Sequence, residues 1–259
     1  MAFGLSLPDI YAHSAHYLFI LCRIAVLLHV APVFGDKAVS RRLRTALGFL
    51  ITLLLAPVIP ESQSVLMSAE GGWILFREAI TGAALGLTLQ FIFSAVRLSG
   101  EIIGMQMGLS FANFYDPGTG NSPVISRILN LLLTLLFLTF NGHLWILSLL
   151  AESFTILPVS SAPLMSAGMM KLAGHAGLIF SQGLMLGLPV IALLLCINIT
   201  LGLLNRLAPQ LSIFVIGFPL TLTAGMMALY LIAPSMPVFT EHLIARIFSA
   251  AYNILKALN

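Results

Sequence analysis

The sequence predicts an all-α, polytopic membrane protein of about six hydrophobic, proline-kinked helices arranged as hairpins, followed by an amphipathic C-terminal helix. Three observations carry that prediction. Apolar residues make up 59% of the 259-residue chain and charged residues only 8%, where a soluble domain carries about 25% charged residues. Mean hydropathy is +1.04, and twelve Lys and Arg with nine Asp and Glu cannot cover the surface of a soluble protein of this size. Finally, uncharged runs of bilayer length recur along the chain, with prolines inside them or at their ends.

A bilayer core of about 30 Å takes roughly 20 apolar residues as helix. The first such segment is 14–34, interrupted only by Arg23. A short second segment runs from Thr45 to about Val58 and is closed by Pro57 and Pro60. The third, 79–96, is extended at its start by Trp73 to Phe76, aromatic residues suited to a membrane interface. An apolar stretch at 102–115 follows it across Arg97 and Glu101, so 73–111 reads as one long or kinked helix. Positions 128–151 form the cleanest span, and 176–204 and 211–233 are the fifth and sixth. In the tail, Met236–Asn259, Leu243, Ile247, Ala251, Ile254 and Leu258 recur at helical spacing. Glu241, Arg246, Asn253 and Lys256 fall largely on the other face, and Thr240 stands where an N-cap would. Such a helix lies at an interface or packs on a partner.

Lys37, Arg41, Arg42 and Arg44 stand together against the single Asp36, which turns this loop to the cytoplasm by the positive-inside rule. Glu61 and Glu70 suit the opposite side, and counting onward puts the Arg206 link inside and the tail outside. Elsewhere the basic residues are scattered, with no basic face for nucleic acid. Cys22 and Cys196 sit inside apolar runs, which argues against a disulfide framework or a zinc site. The first positive charge, Arg23, lies within an apolar run, so no cleaved signal peptide is expected.

Small residues recur at fourfold spacing: Gly82 with Gly86, Gly183 with Gly187, and the ladder Gly100, Gly104 and Gly108. Such spacing lets helix backbones approach closely, within the chain or against another subunit. Pro32, Pro57, Pro189, Pro209 and Pro219 bend or end their helices. The polar groups in the apolar segments are mostly amides, among them Gln90, Asn130, Gln182 and Asn198, and Glu101 is the carboxylate nearest mid-segment, with Arg97 four residues earlier on the same face. His13 and His16 stand at i, i+3 without a third ligand, and Asn141-Gly142-His143 reads as a helix junction. No zinc-protease, nucleophile-elbow or phosphate-loop motif occurs. The chain is expected to be neither an enzyme nor the holder of a metal or cofactor.

The segment 105–122 stands apart. A Met- and Phe-rich helix end, with Met105, Gln106, Met107 and Phe111, runs through Phe114 and Tyr115 into an Asp116-Pro117-Gly118 turn, with Gly, Asn and Ser behind it. Flexible Met and aromatic side chains on a bendable loop between long helices make a deformable stopper; a plain extramembrane loop is the alternative.

Several motifs, taken in order, resemble the FliR family of flagellar export-gate proteins. They are Ala31-Pro32-Val33-Phe34-Gly35, Gln106 to Phe111 with Asp116-Pro117-Gly118, Phe140-Asn141-Gly142-His143-Leu144 with Leu157-Pro158, and Leu204-Asn205-Arg206-Leu207-Ala208-Pro209-Gln210-Leu211-Ser212-Ile213-Phe214 with Ile216-Gly217-Phe218-Pro219. The similarity runs from about residue 20 to 240. It implies a multi-pass protein of the bacterial inner membrane and flagellar basal body. Its partners would be FliP and FliQ in one helical, cone-like assembly raised out of the lipid plane, together with FlhB and FlhA. Unfolded flagellar proteins would be the cargo, and a single export-gate domain would consist of a FliP-like part at about 1–175 and a FliQ-like hairpin and tail at about 176–259. By the same resemblance 106–122 is the pore plug, while the ladder Gly100, Gly104, Gly108 and the bends at Pro189, Pro209 and Pro219 become subunit-packing features. In some relatives the C-terminus is fused to an FlhB-like protein, which would put the tail in the cytoplasm.

A competing reading is a secondary transporter of a small solute. It calls for an internal repeat and a polar midplane site. Halves 1–130 and 131–259 show no obvious repeat, and Arg97 with Glu101 is a thin site.

Overall fold

The computed structural model describes residues 7–36, 38–60, 68–109, 123–208 and 213–259, with side chains from position 14 in the first of these stretches and from 216 in the last. Among them the helices are α1 (Leu7–Val30), α2 (Arg41–Leu55), α3 (Ala69–Gln106), α4 (Val124–Thr139), α5 (Gly142–Ile156), α6 (Ser166–His175), α7 (Gly177–Leu207), α8 (Ile213–Ile232) and α9 (Met236–Leu258), with a 3₁₀ turn at Ala233–Ser235. No strand occurs among the described residues.

Local chemistry sets most of the boundaries. Ser40 caps α2 by accepting the Leu43 N–H on its hydroxyl at 3.3 Å, and the helix stops just before Pro57. The 38-residue α3 closes on a left-handed glycine: Gly108 has φ +82°, its N–H reaches the Met105 carbonyl and the Leu109 N–H reaches that of Gly104, each at 3.0 Å. That paired pattern is the Schellman stop, which glycine adopts without a Cβ penalty. α7 and α8 carry Pro189 and Pro219 within them.

The apolar segments expected at 14–34, 45–58, 79–96, 176–204 and 211–233 fall largely on helices. The long helix expected over 73–111 is α3 as far as Gln106, where the turn at Gly108 ends it, and residues 110–122 lie outside the described residues. Two further details differ. The 128–151 run is not one helix, because Asn141 takes a left-handed φ of +56° and separates α4 from α5; the amide side chain tolerates a conformation that composition does not reveal. Thr240 is not a cap either. α9 begins at Met236, four residues earlier, straight after the 3₁₀ turn, and the Thr240 hydroxyl is buried inside the helix without a partner. By length and composition, three helical runs among the described residues can cross a membrane: Ala69–Gln106, Ser166–Leu207 and Ile216–Leu258. α4 with α5 makes a fourth if the broken pair is one span, while the apolar part of α1, Ser14–Val30, is shorter.

The chain forms two compact units. The first takes in Met1–Gln90, Asn141–Ala176 and Arg246–Asn259. Here α1 and α2 pair as a hairpin, and Gly82 and Gly86 of α3 lie against the backbone of Arg23 and the side chain of Val30 on α1. Leu157, Ile254 and Leu258 close around Ala84 in one buried cluster, with Leu164 and Leu172 packed on it. Gly168 of α6 receives Leu258, and the Met165 N–H donates to the Leu258 carbonyl at 3.2 Å. The apolar face expected on the tail therefore lies on the chain itself here, with Phe248 also meeting Trp145 at 5.7 Å between ring centroids.

The second unit is Phe91–Phe140 with Gly177–Ala245. α7 and α8 form a hairpin, and α7 seats Gly183 and Gly187 against Ala95 and Ser99 of α3. On its other side α3 meets α4 through Gly100 on Ser126 and through Phe93 on Phe137.

Candidate functional site

The end of α3 is held where the segment expected to act as a stopper begins. Gln106 accepts from the Asn198 amide of α7 twice, on its carbonyl and on its side-chain Oε1, each at 3.1 Å. One residue on, Met107 is fully buried, and its side chain fills the space that a Cβ at Gly225 of α8 would need. The Met107 carbonyl accepts the Thr221 hydroxyl at 3.3 Å. Gly108 turns the chain with Phe218 beside it. Two amides, one hydroxyl and a buried thioether thus pin 106–108 onto the α7–α8 hairpin, while Met105 stays exposed.

Among the described residues, this base holds no carboxylate, thiol or imidazole, and no three metal-ligating side chains converge anywhere among them. Its chemistry is positional: a satisfied polar clamp fixes one end of a segment, because a broken hydrogen bond there leaves a partly desolvated donor. Of the other predicted plug residues, Phe111, Phe114, Tyr115, Asp116, Pro117 and Gly118 lie outside the described residues, as do Lys37 and Pro209.

The structure places the remaining candidates individually. Gly100 and Gly104 of the ladder face α4 within the chain: a Cβ at Gly100 would strike the Ser126 backbone, whereas one at Gly104 would sit 3.4 Å from Pro123. Pro189 and Pro219 lie inside α7 and α8. Arg41 and Arg42 are exposed in the first turn of α2, but Arg44 is 91% buried, donating to the Asp36 and Val39 carbonyls. Arg97 and Glu101 form no ion pair. His16 meets the Ala56 carbonyl at 3.3 Å, and the His13 side chain lies outside the description.

Sequence reasoning missed a buried charge cluster in the first unit. Arg23 grips Glu78 with two parallel bonds and also donates to the Ser153 and Leu157 carbonyls, with its guanidinium 4.1 Å above the Phe154 ring. Arg77 lies 3.6 Å from Glu78 and donates to the Pro158 and Ser160 carbonyls. Two guanidiniums face one carboxylate, and the excess positive charge meets the negative end of α5 and the carbonyls just beyond it. A lone Arg23 within an apolar run was the available signal, since a membrane-depth charge demands a partner.

The outward faces of α7 and α8 are strongly apolar. Leu188, Ile199 and Leu203 on α7 and Met227, Tyr230 and Leu231 on α8 are exposed, far more than a soluble monomer tolerates.

Residues 14–247 match the family model described as bacterial export proteins, family 1. The chain is 52% identical over 238 residues to the flagellar biosynthetic protein FliR of Pectobacterium carotovorum subsp. carotovorum, covering 92% of this chain and 91% of that protein. It is 47% identical over 243 residues to the flagellar biosynthetic protein FliR of Escherichia coli (strain K12), covering 93% of each. A more distant likeness, 29% over 218 residues, links it to the protein of the same name from Bacillus subtilis (strain 168), with 82% of this chain and 84% of that one covered.

Proposed function

This chain belongs to the bacterial export proteins, family 1, and from that premise we propose that it is a structural and gating subunit of the flagellar protein-export gate. The observation that carries the reading is the similarity to two flagellar FliR proteins over more than nine-tenths of the chain. The finer reading is that the chain joins FliP and FliQ in one hetero-oligomer in the bacterial inner membrane, at the flagellar basal body, with FlhB and FlhA as further partners. Unfolded flagellar proteins pass through the channel so formed. Residues up to about 175 supply the FliP-like part and those from about 176 the FliQ-like hairpin and tail, and the basic turn at Lys37, Arg41, Arg42 and Arg44 faces the cytoplasm.

Two features support that reading beside the family. The α7–α8 hairpin exposes leucine, isoleucine and methionine along its length, which suits burial against lipid or other subunits. The clamp at Gln106–Gly108 anchors one end of 106–122, the segment taken as the plug. Closing and opening a pore requires no bond chemistry, consistent with a transport component and not an enzyme.

Co-purification tests the assignment. Tagged chain expressed with FliP and FliQ should leave the membrane as one hetero-oligomer of defined mass by native mass spectrometry. A stable monomer or homodimer free of both proteins would refute the gate assignment. Solute uptake by the reconstituted chain alone would favour the transporter instead.

A further inference from the structure

The α1–α2 hairpin carries a feature that subunit packing and gating leave unused. Between the two helices lies an open groove of about 470 Å³, walled by Leu21 and Ala25 of α1 and by Ala46, Gly48 and Phe49 of α2. His29 and Arg44 stand at the end where α1 finishes and α2 begins. The groove is apolar along its length and cationic at that end.

The electrostatics of that end are unbalanced. The first turn of α2 contains Arg41, Arg42 and Arg44 and no acidic residue. The N-terminus of a helix already carries the positive pole of its dipole, so three cations there repel it and one another. Arg41 and Arg42 are exposed and pair with no carboxylate among the described residues. Arg44 is buried, uses Nη2 on the Asp36 and Val39 carbonyls, and leaves its Nε buried with no acceptor. A buried guanidinium N–H without an acceptor is costly, and Arg44 itself lines the groove. Helical spacing puts Arg41 three residues from Arg44, and Arg42 four residues from Ala46, each one turn from the groove mouth.

We propose that this groove binds one anionic phospholipid, one of its two acyl chains lying along Leu21, Ala25 and Phe49 and its phosphate held at Arg44 with Arg41, Arg42 and His29. The apolar wall accounts for a chain and not a soluble anion. The uncompensated arginines select a negative headgroup over a zwitterionic one, because each basic residue near a membrane surface adds to attraction for anionic lipid.

The test uses the full chain, purified in detergent and stripped of lipid, with phosphatidylglycerol and phosphatidylcholine of the same acyl chains as probes in native mass spectrometry. The expected result is one retained phosphatidylglycerol, with a preference over phosphatidylcholine of about tenfold that disappears in Arg41→Gln with Arg42→Gln. Arg44→Gln should abolish retention. Because Arg44 is buried and its loss can unfold the hairpin, Ala46→Phe, at an exposed position, provides the second variant: it fills the groove, keeps every charge and should also abolish retention. Equal retention of the two lipids by the unmodified chain would overturn the proposal, as would phosphatidylglycerol bound undiminished by Ala46→Phe. Inorganic phosphate raising the melting temperature as much as phosphatidylglycerol does, with Ala46→Phe unaffected, would show an anion site without a lipid and would overturn it equally.

Discussion

Arg23 and Glu78 meet through two parallel hydrogen bonds, Nε to Oε2 at 2.6 Å and Nη2 to Oε1 at 2.9 Å, and neither side chain is exposed at all. The pair joins α1 to α3, and the other Arg23 donors reach Ser153 near the end of α5 and the Leu157 carbonyl just beyond it. Burial raises the cost of desolvating both charges, so the pair matters chiefly through what happens when one member is lost. Glu78→Gln would leave Arg23 and Arg77 without their carboxylate and should cost about 3–5 kcal/mol, read from equilibrium unfolding in detergent. Arg23→Met combined with Glu78→Met should recover part of that loss, since Arg77 retains its carbonyl partners on Pro158 and Ser160. An unfolding midpoint unmoved by Glu78→Gln would mean that the pair contributes nothing to the fold.

The glycine ladder separates into two behaviours. Gly100→Ala should split α3 from α4, because the new methyl would overlap the Ser126 backbone, which cannot yield as a flexible side chain can. Gly104→Ala finds ordinary space beside Pro123 and gains up to about 1 kcal/mol of helix propensity. Melting temperatures of the purified variants should therefore move in opposite directions; a parallel shift would show that the α3–α4 contact is not what glycine serves here.

Gly108→Ala tests the turn. Its φ of +82° lies in the region that side-chain-bearing residues avoid, and Phe218 stands 3.2 Å from the position of a Cβ. The substitution should cost about 1–2 kcal/mol by equilibrium unfolding, whereas Gly108→Asn, with a residue that visits this region, should cost less.

At the clamp, Asn198→Leu removes both bonds to Gln106 and leaves its carbonyl without that donor. The expected loss is about 1–3 kcal/mol of stability. If the clamp anchors the plug, the variant should still co-purify with FliP and FliQ while the cells admit small molecules faster. Assembly lost together with stability would assign Asn198 to folding alone.

Shortening 112–120 tests the proposed plug directly. The complex should form in normal yield, and the membrane should become leaky to ions or small solutes. Unchanged leakage in an assembled complex would remove the plug from the reading.

Much of this architecture was written locally. Uncharged runs mark the helices because a bilayer excludes charge, and α3 at Ala69–Gln106 covers the expected long helix from 73 as far as Gln106. The spacing of Leu243, Ile247, Ile254 and Leu258 described the buried face of α9 before any contact was known. Thr240 and the 128–151 run misled for a shared reason. A residue suited to cap or continue a helix is overruled by neighbours that the pattern does not contain, here the turn at Ala233–Ser235 and the left-handed Asn141. At the candidate site, the sequence singled out Gln106 and Met107 and placed Asn198 among the amides of the apolar segments, but it gave no sign of Thr221 or of the pairing, because Asn198 and Thr221 hold their partners from 92 and 114 residues away.

The sequence by itself determined the all-helical class, the membrane composition, the long third helix and the family, because these depend on hydropathy and spacing within a few turns. Only the tertiary structure decided that Arg23 finds Glu78 across 55 residues, that Gly100 faces α4, and that Arg44 turns inward toward the α1–α2 groove. The reason is physical: hydropathy is a property of one segment, whereas the partner of a buried charge is chosen by whichever segments the packing brings together.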